Sequence, residues 1–547
     1  MLRRRLAFVL GCALTLGSGA CQTVGPPDGP PPSPGKAAGG PSAPVPTGGA
    51  IVKEGYFDAD SRAARMRLEI TDVRRTGEYA VLRFSVTNLD PEPAFGSSIF
   101  GASRVDSSFS GFRLLDTTGR RLYFTLRRDS VIGSAFGSST FGIRLQPRVR
   151  YVAQAYFPAL PDGVRQVTVL TPGTTAEIPG VPVVAGAPPA APTEQSRSTP
   201  APGQSVTLKT SVPSGTIWRK VEDLYDIVEG KDANTTSGGG GETIAFPADI
   251  LFAFDSAALT GKARQVIADA ATNLKNRADP ARPIGVEGHT DGKGLPSHNR
   301  PLSERRAAAV RDALRQALTG QSYDFRVTGK ADTEPVAPET TATGADNPRG
   351  RARNRRVEIS YTLRPPTDIG SPAPGPAASG AVRRGEPGPP APVRDGDGAV
   401  VAERTVTVDT ANASGGERFL LRVRPFYRDG AYLTTVFELT NVGGHDLRRP
   451  SGFRGYFSAD DFLGGDFGSF RVLAADGTVY RTVRQGAPPP DAVASAGSAR
   501  FLSGSIILKQ PDVPGRTYMY VPAPPRGVTS VTFDAGPFGK IPDVPIK

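Results

Sequence analysis

Sulfur and imidazole are nearly absent from this 547-residue chain: Cys12 and Cys21 are its only cysteines, and His289, His298 and His445 its only histidines. No cysteine or histidine cluster has zinc-ligand spacing, and no disulfide framework can form in the body of the chain. His289 and His298 lack a third ligand at metal-binding spacing, so no metal site is expected. Past the first twenty residues no apolar run reaches the roughly 20 residues of a membrane-spanning helix. No nucleophile, base and metal set converges in the pattern, which argues against an enzyme and calls for no cofactor.

Glycine (64 residues) and proline (53) are abundant instead. Together with alanine they concentrate in residues 23–49, 185–203 and 364–397. Such segments bury too little apolar surface to offset chain entropy and read as linkers. They divide the chain into units at 51–184, 206–362 (core 242–362) and 403–547, with linkers at 21–50, 185–205 and 363–402.

Residues 1–20 have the makings of an export signal, with Arg3-Arg4-Arg5, an apolar stretch from Leu6 to Leu16 and small residues Ser18-Gly19-Ala20. Cys21 follows directly. Small residues running into a cysteine resemble the lipobox of bacterial lipoproteins, although Ser18 stands where leucine is usual. The resemblance implies lipidation of Cys21 and an extracytoplasmic protein held in a membrane by acyl chains. That membrane is either an outer membrane or the outer face of a cytoplasmic one. The net charge of +12 suits polyanionic partners. Export argues against nucleic acid and leaves anionic lipid headgroups or acidic wall polymers, beside a merely solvated basic surface.

The outer two units look like copies of each other. Gly77, Tyr79, Phe84, Val86 and Thr87-Asn88 recur at one offset as Gly430, Tyr432, Phe437, Leu439 and Thr440-Asn441. Phe112-Arg113 and Gly119 likewise recur as Phe470-Arg471 and Gly477. Short period-two runs broken by Gly, Pro and Asp predict all-β immunoglobulin-like sandwiches, that is, an internal duplication. Neither copy gathers chemistry-bearing side chains, so spacing or contact with other envelope proteins is the expected role.

The middle unit alternates differently. Strands are expected at 249–254, 284–287, 324–329 and 356–361, with helices at 263–274 and 302–318. This βαβαββ order predicts an α+β two-layer sandwich with helices on one face of a mixed sheet. Residues 218–228 are expected to form a short helix. Asp291 ends the second strand and Arg306 lies near the start of the second helix, at one rim of the sheet. A carboxylate and a guanidinium there suit a small zwitterion. They would equally suit a salt bridge to each other or a helix cap.

Gly288-His289-Thr290-Asp291, Gly294, Asn299, Leu302-Ser303 and Arg306-Ala307, with Phe252 to Ser256 before and Asn354 to Ile359 after, resemble the OmpA-like peptidoglycan-binding domain. That family includes outer-membrane protein A, the peptidoglycan-associated lipoprotein and the flagellar stator protein MotB. The resemblance covers about residues 242–362. It implies noncovalent binding of the diaminopimelate residue of the peptidoglycan stem peptide, with Asp291 on the ligand's ammonium and Arg306 on its carboxylate. By the same resemblance Thr290, Asn299 and Leu302 fall at pocket positions, and Phe254 and Asp255 near the ligand. His298 stands where tyrosine is usual, Lys330-Ala331-Asp332 replaces a Gly-Glu type turn, and Pro301 must lie in the helix's first turn or delay its start. The resemblance makes the Asn-Arg-Arg segment within the basic run 349–356 structural rather than a nucleic-acid patch. The expected whole is a lipoprotein tethering membrane to wall. The alternative is an interaction or adhesion factor whose β units carry the activity and whose central unit only localises it. Cys21→Ser should move the protein out of the membrane fraction on cell fractionation; co-fractionation of the variant with membranes, as for the parent, would overturn the anchor.

Overall fold

The structure is a computed structural model. It describes residues 49–547 except 60–61, 97–98, 102–106, 191, 195–197, 321, 342–343, 365–383, 409–416, 445–466, 488–499 and 505–509. The expected export signal, Cys21 and His445 lie outside the described residues. No described helix is long and apolar enough to cross a membrane.

The first unit is built from Ile51–Ala59 (β1), Arg62–Arg75 (β2), Tyr79–Asn88 (β3), Arg113–Asp116 (β4), Arg121–Phe124 (β5), Arg150–Pro158 (β6), Gln166–Leu170 (β7) and Glu177–Ala185 (β8), with shorter pieces between. One antiparallel set runs β1, β2, β3, β6. A second runs β5, β4, β7, β8. Alternation in β3 puts Ala80, Leu82, Phe84 and Val86 into the core, where Phe84 stacks on Phe112 at 4.9 Å between centroids. The β4–β5 turn falls at Asp116-Thr117-Thr118-Gly119, with Asp116 Oδ1 accepting from the amides of Thr118 and Gly119.

In the central unit the chain passes through Val221–Glu229 (β9), Asn234–Gly238 (β10) and Gly241–Pro247 (β11) to the short helix Ala248–Leu251 (α1) and the long helix Gly261–Arg277 (α2). It continues through Ile284–His289 (β12), Pro296–Ala317 (α3), Phe325–Ala331 (β13), Pro348–Asn354 (α4) and Arg356–Thr362 (β14). The sheet order is β9, β10, β11, β14, β12, β13, with only β12 and β13 parallel. Val266, Ile267, Leu274, Val310 and Leu314 of α2 and α3 cover Ile244, Ile284, Val286, Val357 and Ile359 on one face. Thr260 caps α2, accepting from the Ala263 amide at 3.0 Å.

Three expected elements differ. Residues 249–254 start in α1 and continue as loop, and the strand precedes them at β11, because Pro247 ends the ladder and opens the helical turn. The second helix begins at Pro296 rather than 302, so Pro301 lies inside it. The cost is small, since the carbonyl that Pro301 leaves without a donor belongs to solvent-exposed Ser297. Residues 218–228 are extended, not helical. Leu224, Ile227 and Val228 have helical spacing, but the local pattern is overridden by the pairing on offer.

The last unit contains Ala402–Val408 (β15), Glu417–Val423 (β16), Tyr432–Asn441 (β17), Phe470–Leu473 (β18), Val479–Tyr480 (β19), Arg484–Gln485 (β20), Gly515–Pro522 (β21), Ser530–Ala535 (β22) and Lys540–Pro545 (β23). Its antiparallel sets run β15, β16, β17, β21 and β19, β18, β22, β23. Phe437 meets Phe470 and Phe533 at 5.6 Å each in its core.

Strand β9 joins the three units. Val221–Asp223 pair with Tyr123–Arg121 of β5, Leu224 and Tyr225 with β20, Asp226–Glu229 with β10, and Val228 and Glu229 also with β19. Around it Leu115, Leu122 and Leu170 pack with Leu224 and with Tyr432, Tyr518 and Tyr520 in one apolar cluster. The compositional linkers are also built in where described. Gln154 donates to the Pro189 carbonyl, and the Thr210 amide to Pro192. In residues 384–401 the Gly385 amide donates to Asp226, the Ala391 amide to Asp429, Arg394 pairs with Glu177, and Asp397 with Arg516. Proline-rich chain carries few N–H donors and so can lie between sheets with little left unsatisfied.

Glu229 binds Arg353 of α4 at 2.8 Å and Arg481 at 2.9 Å. Burial pushes its carboxyl up, but the two guanidiniums outweigh that and hold it at about 2. A carboxyl lowered in the folded state adds stability above its unfolded value of about 4.5, and that contribution is lost as pH falls toward 2. Urea midpoints should therefore be lower for Glu229→Gln than for the parent at pH 7, with the gap closing between about pH 4.5 and 2. An unchanged gap across that range would refute the assignment.

Candidate functional site

The rim where β12 ends and α3 begins is set by close packing of helix on sheet. A Cβ on Gly288 would lie 2.1 Å from the Ser303 carbonyl oxygen, and one on Gly329 2.3 Å from Glu304. Only glycine lets α3 sit this low. That places Asn299, Leu302 and Arg306 on the buried face of α3, with Asn299 against the loop that follows β12.

Asn299 holds that loop. Its side-chain amide donates to the carbonyls of Asp291 (3.3 Å) and Lys293 (3.0 Å), and the Gly292 amide donates to Glu339 at 2.9 Å. Asp291 is nearly buried, and its Oδ2 accepts from Arg355 Nη1 at 2.8 Å, with Arg351 3.9 Å away. Arg355 reaches back to Asp249 at 2.7 Å, and chiefly this bond holds its guanidinium well above the usual value. Thr290 is buried with its hydroxyl unpartnered among the described residues, while its amide donates to the Ala331 carbonyl at 2.9 Å.

Arg306 is 6% exposed and donates from Nε to the Ser256 carbonyl at 2.9 Å, its guanidinium 5.2 Å from the Phe252 ring centroid. Among the described residues it has no ion-pair partner. Burial lowers its affinity for the proton, and the carboxylates of Asp249, Asp255 and Asp291 offset that only in part. Asp291 and Arg306 therefore form no salt bridge with each other. Asp255, at φ +54°, meets His298 Nε2 at 2.7 Å, and Phe254 beside it is fully exposed. Leu302 is buried beneath the rim.

The arrangement is a half-satisfied ion network. A guanidinium with free Nη donors can take a carboxylate in a bidentate fashion. Asp291, sharing Arg355 with Asp249, retains acceptor capacity for an ammonium. Sequence reasoning missed Arg355, Arg351 and Asp249. The Asn-Arg-Arg segment was visible, yet only the fold shows that its first arginine lies on Asp291.

The OmpA family description matches residues 251–349. Photosystem I P700 chlorophyll a apoprotein A2 of Gloeobacter violaceus is 36% identical over 133 residues, 22% of this chain and 13% of that protein. The peptidoglycan-associated lipoprotein of Haemophilus influenzae is 33% identical over 112 residues, 20% of this chain and 67% of that protein. A solved structure of the cell wall anchor of the T6SS from Pseudomonas aeruginosa is 29% identical, covering 24% of this chain and 90% of its own, with a TM-score of 0.21. The chain thus spans well under two thirds of the first of these relatives, and each match covers a quarter of this chain or less.

Asn299→Ala removes both carbonyl bonds to the loop. It should lower stability by about 1–2 kcal/mol in urea unfolding and speed amide exchange at Gly292–Gly294. Unaltered exchange there would rule out the clamp.

Proposed function

Because the chain belongs to the OmpA family through residues 251–349, we propose that its central unit binds peptidoglycan noncovalently in the cell envelope, without catalysing a reaction on it. The observation that carries this is the pair of buried, oppositely charged groups at one rim, Asp291 and Arg306, that do not neutralise each other. The ligand group is a diaminopimelate residue of the stem peptide, whose ammonium goes to Asp291 and whose carboxylate goes to Arg306. Thr290, Asn299 and Leu302 shape the floor, and Phe254 and Asp255 flank the entrance. Hydrogen bonds to charged groups contribute about 1.5–3 kcal/mol each. Two or three give millimolar to micromolar affinity after binding costs. A tethered protein beside a polymer needs no more.

The larger reading is a lipoprotein anchored through Cys21 that ties membrane to wall. The relative named peptidoglycan-associated lipoprotein supports both halves of it. We take the flanking β units as duplicated immunoglobulin-like sandwiches that space this grip or contact envelope proteins. In support, six strand pairings of one unit have counterparts in the other, down to a register shift between Val167 and Val169 matched by one between Val531 and Phe533.

Co-sedimentation with purified diaminopimelate-type peptidoglycan tests the site. Asp291→Ala and Arg306→Ala should each reduce the bound fraction at least about tenfold, equivalent to 1.4 kcal/mol or more. Both variants must keep the parent's circular dichroism. Wild-type binding by either would sink the site assignment.

A further inference from the structure

The sheet face turned away from α2 and α3 carries a second polar cluster. Ile284, Val286 and Gly288 of β12 point toward the helices, so alternation sends Glu287 and His289 to the other side. Gly329 likewise faces α3, which leaves Lys330 beside them. The segment after β13 then brings in Glu334. One ligand atom each from Glu287, His289 and Glu334 lie within 4.8 Å of one another. Sequence spacing gave His289 no third ligand; the fold supplies two carboxylates.

His289 is 1% exposed, and neither ring nitrogen has a hydrogen-bond partner among the described residues. Leaving a buried polar group unsatisfied is unfavourable and asks for an explanation. Burial, with Arg356 nearby, pushes the imidazole down to about 3, so the ring keeps a free lone pair at neutral pH. Lys330 is the cluster's internal cation, 2.7 Å from Glu334 and 3.6 Å from Glu287. Arg356 is already taken by Glu358. Two carboxylates against one ammonium leave a single negative charge in excess, which a divalent ion in place of the ammonium would cancel.

We propose that Glu287, His289 and Glu334 form a site for a divalent first-row transition metal of the zinc type, which displaces the Lys330 ammonium. One imidazole and two carboxylates are ligands suited to such an ion. Ligand atoms around a tetrahedral zinc lie roughly 3.3–3.5 Å apart, given bond lengths of about 2.0–2.2 Å. Glu287 and Glu334, each about 30% exposed at the side chain, have room to close that difference. The ion would pin the end of β12, two residues before Asp291, to the segment following β13. The inference does not depend on what the rim binds.

The untagged full chain, stripped with chelator, is titrated with Zn2+ by calorimetry and with Co2+ by visible absorption. One site of roughly 10 µM affinity or tighter is expected, with a Co2+ spectrum showing nitrogen and oxygen ligation. Glu334→Gln and His289→Asn should weaken binding at least about tenfold. Lys330→Met should tighten it several-fold, because it removes the competing cation, whereas a purely internal ion pair predicts a destabilised protein with no gain in metal affinity. His298→Ala, in the first turn of α3 and paired with Asp255, should bind like the parent. The proposal is overturned by no binding up to about 1 mM Zn2+, by Glu334→Gln binding like the parent, by a Lys330→Met variant without tighter binding, or by loss of binding in His298→Ala.

Discussion

Every backbone N–H and C=O in the middle of a sheet needs a partner, and the nine residues Val221–Glu229 find ladder partners in all three units of the chain. This one constraint organises the molecule. The strand belongs by sequence to the central unit, yet its first half is spent on β5 and β20 and only its second half on β10. Moving either β unit away would break ladder hydrogen bonds, each contributing about 0.5–1.5 kcal/mol net. The three units are therefore joined as a sheet is joined, not as beads on a string.

Buried charge follows the same seams. Asp429 is fully buried and accepts from Thr117 and Thr168 of the first unit, from Tyr520 of the last, and from the Ala391 amide of the intervening segment. Arg516 binds Glu177 and Asp397 together. Such groups add little net stability compared with apolar packing, but a misdocked arrangement would leave them unpaired at several kcal/mol apiece. Their effect is to make one arrangement of the units much better than its neighbours. Apolar contacts such as those among Leu115, Leu224 and Tyr432 supply the attraction.

Local pattern made a large part of this legible. The alternation of Leu82, Phe84 and Val86, the stripe of Ala307, Val310 and Leu314, and the Asp116 turn all report nearest-neighbour physics. Asp291 was visible from the strand end, which it follows by two residues, whereas Arg306, expected near the helix start, is the eleventh residue of a helix that begins at Pro296. What was hidden depends on distant partners. Residues 221–229 carry helical spacing and become strand only because edges from elsewhere are available. Residues 384–401 have the composition of a free linker and are held by side chains more than 100 positions away in either direction. Arg355 looked structural until the fold laid it across Asp249 and Asp291.

Helix α4 and its cap show how closely the grip and the docking are connected. Arg351 and Arg355, four apart, turn toward Asp291. Arg353, halfway between, turns the other way to Glu229, which also holds Arg481 of the last unit. In an α-helix, residues four apart share a face and the residue between them points elsewhere. One short helix thus has Asp291 on one side and the inter-unit ion pair on the other. Arg355 holds Asp291 Oδ2, and its backbone continues into the helix that sets Arg353. Because Arg353 is fixed by a pair that itself bridges two units, α4 is held from both sides. The docking of the last unit thereby helps to fix the rim at which Arg306 Nε meets the Ser256 carbonyl and, among the described residues, its guanidinium pairs with no carboxylate.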